Sequence, residues 1–571
     1  MENDKIFIKL DDEKVKLNIR IDKDKSMGAV EGHKVLVKIT NKLEGNNYRG
    51  EIIKIIGHKN DPGVDILSIV NKFGIEDKFS DEVIKELDSI PDTVSEEEKA
   101  GRRDLRDEVI FTIDGDDTKD IDDAISIERL ENGNYKLGVH IADVSNYVKE
   151  GTKLYETAMD RGTSVYLADR VIPMLPHKLS NGICSLNPNQ DRLAISCVME
   201  INLKGDVVTY DIFESLINSK KQMTYKNVNK ILEENIIPEG YESFSDKLKM
   251  MKELADILRK NKERRGYIDF DIDESKIIVN EKGEAIDVVL RERGTGEKLI
   301  EDFMIAANET VATCIYFMEL PFIYRVHGEP NEEKINKFLS FVSSLGYQVN
   351  GKVKDLTPVA MQKILEQLKD KKEYHILSSM LLRSMQKAIY DTVNIGHFGL
   401  GSKCYTHFTS PIRRFPDTTV HRLLRKYLFK QQINNDVIEY EDKMLPVIAE
   451  HSSKKERDSV ECEREVDDMK KAEYMEKHIG ETYSGMISSI MSFGMFIELP
   501  NLVEGLVRLD DLTDDHYTFD ESIISLIGKK NKRGYHLGDN VNVIVKSANK
   551  EARTVDFVLD TEQNRKMYVR S

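Results

Sequence analysis

The sequence predicts a multidomain α/β (α+β) fold, with one large mixed block carrying a small β barrel on each side. Three observations predict it. Apolar residues alternate with a period of two near the start of the chain, the pattern of half-buried strands, and a second set of β-like runs follows near its end. The middle of the chain mixes such strands with long stretches of helical period. Between two of those middle strands lies a dense run of aspartates. The 571 residues are enough for several domains, each with its own core.

Bulk properties narrow the function classes. Apolar residues make up 40% and charged residues 32%, the balance of an ordinary folded protein. The net charge of −17 excludes a chain coated in basic charge but leaves room for a local basic channel. Cys184, Cys197, Cys314, Cys404 and Cys462 are far apart, with no C-x-x-C pair. That argues against a zinc site or a disulfide framework and fits a reducing cytosol. Met1 is followed by charged residues, and no apolar run reaches the ~18 residues of a membrane span. Neither secretion nor a membrane partner is expected, and the expected location is cytoplasmic.

Residues 1–60 read as the first β domain. Ile6, Ile8 and Leu10, then Val15, Leu17, Ile19 and Ile21, then Val35, Val37 and Ile39 alternate between Asp, Lys and Gly turns. This suggests a five-stranded barrel of the OB or cold-shock kind. RNA contact and a ligand-free β domain both remain open, since few aromatics are available for stacking. Residues 61–103 turn polar and acidic, with one short helix around Asp81–Leu87, and read as a linker.

The large block runs from 104 to 478. Strands are expected at Val109–Ile113, Ala124–Glu128, Lys136–Ile141 and Leu193–Glu200, with a hairpin turn at Glu131–Asn134. Gly162–Asn187 is a long, chemically varied connection carrying Tyr166, and such connections are more often functional than idle. Residues 219–265 read as charged helix, Gly266–Asp273 as a strand, Lys298–Phe317 as a long helix and 331–393 as helical. Gly396–His421 gathers Arg413 and Arg414 with histidines, hydroxyl residues, glycines and prolines. Arginine forks match phosphate geometry. A long charged helix is expected over 441–478.

Residues 479–562 read as the second β domain, and 563–571 as a short tail. Phe493 and Phe496 flank Gly494. They are candidates for a base-stacking platform on a small barrel or for core residues.

The aspartates are Asp114, Asp116, Asp117, Asp120, Asp122 and Asp123, bracketed by Val109, Ile110, Phe111 and Ile113 before and by Ile121, Ala124, Ile125 and Ile127 after. Carboxylates crowded into a low-dielectric site repel one another and protonate unless a cation compensates them. Mg²⁺ is typically held by carboxylates and substrate phosphates. The stretch reads as a Mg²⁺-dependent phosphodiester site.

Taken together, several stretches resemble the ribonuclease II/ribonuclease R family, and ribonuclease R more closely. They are Thr112–Asp123, His140-Ile-Ala-Asp-Val-Ser, Arg161-Gly-Thr-Ser-Val-Tyr, Val171-Ile-Pro-Met-Leu-Pro, Leu179-Ser-Asn-Gly-Ile-Cys-Ser-Leu-Asn-Pro, Gly396-His-Phe-Gly-Leu and His407-Phe-Thr-Ser-Pro-Ile-Arg-Arg-Phe-Pro-Asp. The resemblance implies an RNB catalytic domain flanked by a cold-shock-type and an S1-type OB barrel. It also implies processive 3′→5′ hydrolysis of single-stranded RNA to nucleoside 5′-monophosphates. It places one or two Mg²⁺ ions, with Mn²⁺ as a substitute, on Asp114, Asp120, Asp122 and Asp123, with Asp122 closest to the chemistry. Asp116 and Asp117 fall outside that set and read as solvated loop charges.

The same resemblance puts the nucleotide-packing tyrosine on Tyr166, the stacking phenylalanine on Phe270, the active-site arginine on Arg413 and a helix glutamate on Glu463. Arg414, Phe493 and Phe496 join these as RNA-binding candidates. Plain core packing for Tyr166 and Phe270, and a structural ion pair for Arg413, remain the bland alternatives. His397 and His407 are expected to be structural.

Single-stranded RNA is the expected partner, the protein is expected to be a monomer, and no protein partner is readable. The sequence has room for one cold-shock barrel where ribonuclease R chains typically carry two, and it ends without a lysine-rich tail, so duplex degradation stays open. The alternative from another class is an RNA-binding regulator of the same fold without catalysis. An exonuclease acting chiefly on DNA is a third reading.

Overall fold

The computed structural model describes residues 5–11, 15–270, 272–347, 357–371, 374–521 and 523–568. Parts of the expected first strands, of the 266–273 and 331–393 stretches and of the tail lie outside the described residues. At the N-terminal end, β1 (Lys5–Ile8), β2 (Asn18–Asp22), β3 (His33–Lys42) and β4 (Asn47–His58) form one sheet in the order β1-β2-β4-β3. A fifth strand is expected there, but the described residues hold four. The 12-residue β4 pairs with both β2 and β3, and three register shifts coil the β3–β4 pair. Ile19, Ile21, Ala29 and Ile52 make its small core.

Where one short helix is expected there are three: α1 (Val64–Lys72), α2 (Asp81–Leu87) and α3 (Glu96–Lys99). Ile66, Ile69 and Val70 of α1 pack against Cys462, Val466 and Met469. That apolar face docks the N-terminal sheet on the central block. Nine residues behind a Pro-Gly turn carry too little periodicity to announce it.

The central block continues with β5 (Arg103–Asp104), β6 (Thr112–Asp114), β7 (Asp123–Arg129), β8 (Tyr135–Ala142), α4 (Lys153–Arg161), β9 (Val165–Tyr166), β10 (Val171–Ile172), β11 (Asp191–Ile201), β12 (Val207–Asn218) and β13 (Gln222–Thr224). Five of these strands form a sheet in the order β5-β12-β11-β8-β7, while β6 pairs with β13 in parallel. Next come α5 (Tyr225–Glu233), α6 (Ser245–Arg265), β14 (Ser275–Val279), β15 (Ala285–Leu290) and α7 (Thr295–Phe317). Leu137, Val139, Ile195 and Cys197 from the sheet meet Leu248, Met251, Phe303 and Ala307 from α6 and α7 in the main core.

The described residues of the 266–273 stretch form no strand. Gly266 closes α6 at φ +93°, and Ile268 N–H bonds the Gly399 carbonyl, a contact with a loop instead of a ladder. The 331–393 stretch holds α8 (Glu332–Ser344), α9 (Pro358–Leu368) and α10 (Tyr374–Ser384). It also holds one unexpected strand, β17 (Ile389–Asp391), paired with β16 (Tyr324–Val326). After α11 (Phe415–Leu424) the 42-residue α12 (Asn435–Glu476) crosses the molecule. The chain then closes a five-stranded barrel of β18 (Thr482–Met491), β19 (Gly494–Glu498), β20 (Glu504–Arg508), β24 (Asn540–Asn549) and β25 (Thr554–Leu559). A three-stranded sheet, β21 (Tyr517–Asp520), β22 (Ser525–Gly528) and β23 (Gly534–His536), interrupts it before the final helix α13 (Glu562–Tyr568).

One ionic cluster ties both end units to α12. The buried Lys470 Nζ donates to Asp65 of α1 at 2.8 Å, to Glu473 at 2.9 Å and to the Gly283 carbonyl at 2.7 Å. Lys550, in the β24–β25 turn, bridges the same Asp65 and Glu473 at 2.7 and 2.5 Å. Removing one cation from a buried cluster leaves carboxylate charge and a carbonyl uncompensated. Lys470→Met should therefore lower stability by ~3 kcal/mol. The readout is an earlier urea midpoint with faster hydrogen exchange in α1; unchanged values would contradict the account.

Candidate active site

The acidic stretch is anchored in the core at both ends. Ile110, Phe111, Ile113, Ile121, Ala124 and Ile125 are essentially inaccessible, so the aspartates between them cannot all reach water. β6 ends at Asp114, which pairs with Thr224 of β13, and Asp123 opens β7 opposite Ile141. Ser185, from the long 162–187 connection, folds the loop between them. Its Oγ accepts Ile121 N–H at 3.0 Å and donates to the Lys119 carbonyl at 2.7 Å. Asp114 and Asp122 are consequently buried and Asp120 and Asp123 half-buried, while Asp116 and Asp117 point outward.

Burial dominates the electrostatics. It lifts the Asp114 carboxyl to about 7, with the neighbouring Asp123 charge adding to the effect. It lifts Asp123 to about 6 against the opposing pull of Arg413. Asp122 is held well above the usual carboxylate range by burial, although Arg413 and the Ile412 N–H both favour its charged form. Asp114 Oδ2 is buried without a hydrogen-bond partner. These are hard oxygen donors short of positive charge, and they fit a divalent cation. Among the described residues no three His, Cys, Asp or Glu side chains are gathered into a ready-made ligand shell. Unscreened carboxylates repel, and two of these are engaged elsewhere: Asp120 by Tyr166 and Asp122 by Ile412.

The facing wall is the loop before α11. Ile412 N–H donates to Asp122 Oδ1 at 2.8 Å. Arg413 Nε lies 3.9 Å from Asp122 Oδ2, its Nη2 donates to Ser410 Oγ at 3.0 Å, and nearly half of its side chain is open to solvent. The Arg413 carbonyl accepts Ser164 N–H at 2.9 Å and Thr163 Oγ1 at 3.0 Å, locking this loop to the segment that enters β9. At the end of that segment the Tyr166 phenol donates to Asp120 Oδ2 at 2.9 Å, and its N–H donates to Glu463 Oε1 on α12 at 2.9 Å. The Tyr166 ring stays 41% exposed, which leaves a face for stacking. Burial raises the Glu463 carboxyl.

The structure therefore brings Asp114, Asp120, Asp122, Asp123, Tyr166, Arg413 and Glu463 together. Other candidates lie elsewhere. Arg414 turns inward, half-buried, and donates to Asp417 at 2.7 Å. Phe270 is half-buried against the apolar cluster shared by α8–α10 and the C-terminal barrel. Phe493 is 54% exposed and meets the half-buried Phe496 edge-on at 6.2 Å, an open aromatic pair on that barrel. His407 Nδ1 shares a hydrogen bond with the Tyr390 phenol at 2.8 Å, and His397 Nδ1 accepts Leu400 N–H at 3.3 Å, both internal roles. Two participants lacked any sequence signal. Tyr225, first in α5, has its phenol pushed up by burial and by the Asp123 and Asp114 charges, because the β6–β13 pairing delivers it there. The Ile412 contribution is a backbone group.

Comparisons with known proteins agree with this architecture. The RNB domain family model matches residues 102–430, the cold shock domain 7–80 and the S1 RNA binding domain 476–559. The chain is 44% identical over 557 residues to Ribonuclease R 1 of Lactococcus lactis, covering 96% of this chain and 68% of that protein. It is 46% identical over 562 residues to Ribonuclease R of Thermotoga maritima, covering 97% and 79%. Among solved structures, Mycoplasma genitalium RNase R in complex with ribose-methylated single-stranded RNA superposes with a TM-score of 0.90 at 30% identity, covering 95% of this chain and 85% of that one. Its complex with double-stranded RNA gives 0.87 at 28% identity, covering 96% and 92%.

Proposed function

The chain belongs to the ribonuclease R family, and from that premise we propose that its Asp114–Asp123 stretch, with Arg413 and Tyr166, is the hydrolytic site of a processive 3′→5′ exoribonuclease. Single-stranded RNA is the substrate and nucleoside 5′-monophosphates are the products. The observation that carries this reading is a set of crowded carboxylates whose ionisation burial shifts toward neutrality, opposite one solvent-open arginine.

Asp114, Asp120, Asp122 and Asp123 would hold one or two Mg²⁺ ions, with Mn²⁺ as a substitute. Bound there, divalent ions supply charge to the scissile phosphate and acidify the attacking water. The chain's own residues do the rest. Tyr166 offers its ring to the 3′-terminal base, while its phenol orients Asp120 and Glu463 fixes its backbone. Phe270 would mark the far end of the stacked segment. Arg413 reaches the phosphate from the side opposite the carboxylates and stabilises the departing 3′ oxygen. Water's oxygen bonds to phosphorus, the P–O3′ bond breaks, and the proton ends on the new 3′ hydroxyl. One nucleotide leaves and the strand advances.

Glu463, Phe493 and Phe496 extend the RNA path toward the S1-type barrel. No helix among the described residues is long and apolar enough to cross a membrane, and all five cysteines are unpaired. The free thiols fit the reducing cytoplasm proposed for the chain, where it would act as a monomer.

Digestion of a single strand, a 3′-tailed duplex and a matched DNA strand, with products sized, tests the reading. Mononucleotides from the 3′ end of RNA support it; internal fragments, or equal digestion of DNA, overturn it.

The carboxylates also set a pH dependence. A cation must displace protons bound near pH 7 at Asp114 and near pH 6 at Asp123. Half-saturating Mg²⁺ should rise about 20-fold on going from about pH 8 to about pH 6. For stability the sign is opposite. Folding raises these acid pKa values, so the stabilisation is complete below the unfolded carboxylate pKa and is lost as pH climbs through about 6 to about 7. In chelator, Tm should fall across that window, and Asp114→Asn should flatten the fall; an equally steep fall in the variant would contradict the assignment.

A further inference from the structure

The wall facing the aspartates is one short loop, Thr409–Phe415, and a single carboxylate closes it. Asp417, in the first turn of α11, has no accessible surface. Its Oδ1 accepts Ser410 N–H at 2.8 Å and the Arg414 guanidinium at 2.7 Å. Two further bonds tighten the loop on the same helix. Arg414 N–H donates to the Ser410 carbonyl at 3.0 Å, and Thr418 Oγ1 donates to the Pro411 carbonyl at 2.9 Å. Both groups that address Asp122 project from the turn so formed: the Ile412 N–H at 2.8 Å and Arg413, whose Nη2 rests on Ser410 Oγ at 3.0 Å. Asp417 Oδ2 and Arg414 Nε are buried without partners, while 17% of the Arg414 side chain remains accessible.

We propose that Asp417 is a positioning residue for the hydrolytic step: through Ser410 and Arg414 it fixes the 410–414 turn, and that turn aims the Ile412 N–H and Arg413 at Asp122. The proposal rests on the assignment of hydrolysis to this site. The physical reason is leverage. A negative charge at a helix N-terminus is favourable where it stands, and here it also neutralises a buried guanidinium. Asparagine would keep an acceptor for Ser410 N–H but leave Arg414 uncompensated, and the turn would shift. Because Asp417 itself has no accessible surface, the consequence falls on the chemical step and not on RNA affinity.

The test compares wild type, Asp417→Asn, Ser410→Ala and Ser410→Thr. Two quantities are measured: single-turnover mononucleotide release at saturating Mg²⁺, and equilibrium binding of a ribose-methylated strand. Asp417→Asn should slow release ~10²-fold while Kd stays within about threefold. Ser410→Ala removes the Arg413 tether and leaves the buried pair intact. It should slow release ~10-fold, with Ser410→Thr recovering most of the rate. A purely structural Asp417 predicts otherwise: an earlier urea midpoint and less active protein, but a wild-type rate per bound complex, with Ser410→Ala unaffected. That pattern overturns the proposal. If Asp417→Asn does not fold, Arg414→Lys, which keeps a positive charge beside Asp417 but loses the guanidinium bond, decides instead: a rate per bound complex within about threefold of wild type overturns the proposal. A wild-type protein that releases no nucleotide would instead defeat the assignment of hydrolysis to this site.

Discussion

Asp122→Asn should slow mononucleotide release from single-stranded RNA by ~10³-fold or more while leaving RNA affinity and the urea midpoint near wild type. Asp122 is the one carboxylate that is buried, bonded to a backbone N–H and beside the active-site arginine at once. Asparagine preserves the acceptor for Ile412 and the volume of the side chain. It removes the charge that a cation and Arg413 both require. Stability should not suffer, because burial already disfavours the ionised form of this residue. A variant that keeps a rate within a few-fold of wild type would remove Asp122 from the chemistry. A wild type that binds RNA without releasing nucleotide would instead support a silent RNA-binding regulator.

Arg413→Met should cost ~10²-fold or more in single-turnover rate, with a much smaller change in strand affinity. Its guanidinium is nearly half open to solvent, tethered at one end by Ser410 and drawn toward Asp122 at the other. An arginine held only for structure would be buried and bidentate, as Arg422 is on Glu441 at 2.6 and 2.8 Å. Methionine keeps the apolar stem and removes every donor, so the loss reports the charge and its hydrogen bonds. Lysine should recover little, since a point charge does not reproduce the fork. Equal losses in rate and affinity would recast Arg413 as a binding residue. The Arg413→Met and Asp122→Asn losses should combine to less than their product, because the two groups face one another.

The division of the six aspartates came through the family resemblance, and the fold gives it a physical reason, since the apolar neighbours carry the ends of the run into the core. Asp116 and Asp117, furthest from those neighbours, are the two that face solvent. The C-terminal barrel was legible from its short apolar runs set between Gly and Asp turns, although bulges in β18 and β24 break a strict alternation. What the sequence could not carry falls into two kinds. Contacts between distant segments have no local signature: Ile412 reaches Asp122 across 290 residues, and β13 meets β6 to deliver Tyr225. Alternation also misleads where no partner strand exists. Tyr267, Ile268 and Phe270 read as a strand, yet the segment runs irregularly along the 396–401 loop. Arg414 shows a third limit. Adjacent arginines look equivalent in sequence, and only the fold sends one toward Asp122 and the other to Asp417.

A crystal structure with a ribose-methylated single strand and Mn²⁺, read by anomalous scattering, tests the central claim most directly. The account predicts Mn²⁺ on Asp114, Asp120, Asp122 and Asp123, the last phosphodiester between those ions and Arg413, and the 3′-terminal base on Tyr166. Anomalous density elsewhere, or a strand whose 3′ end lies away from Tyr166, would contradict it.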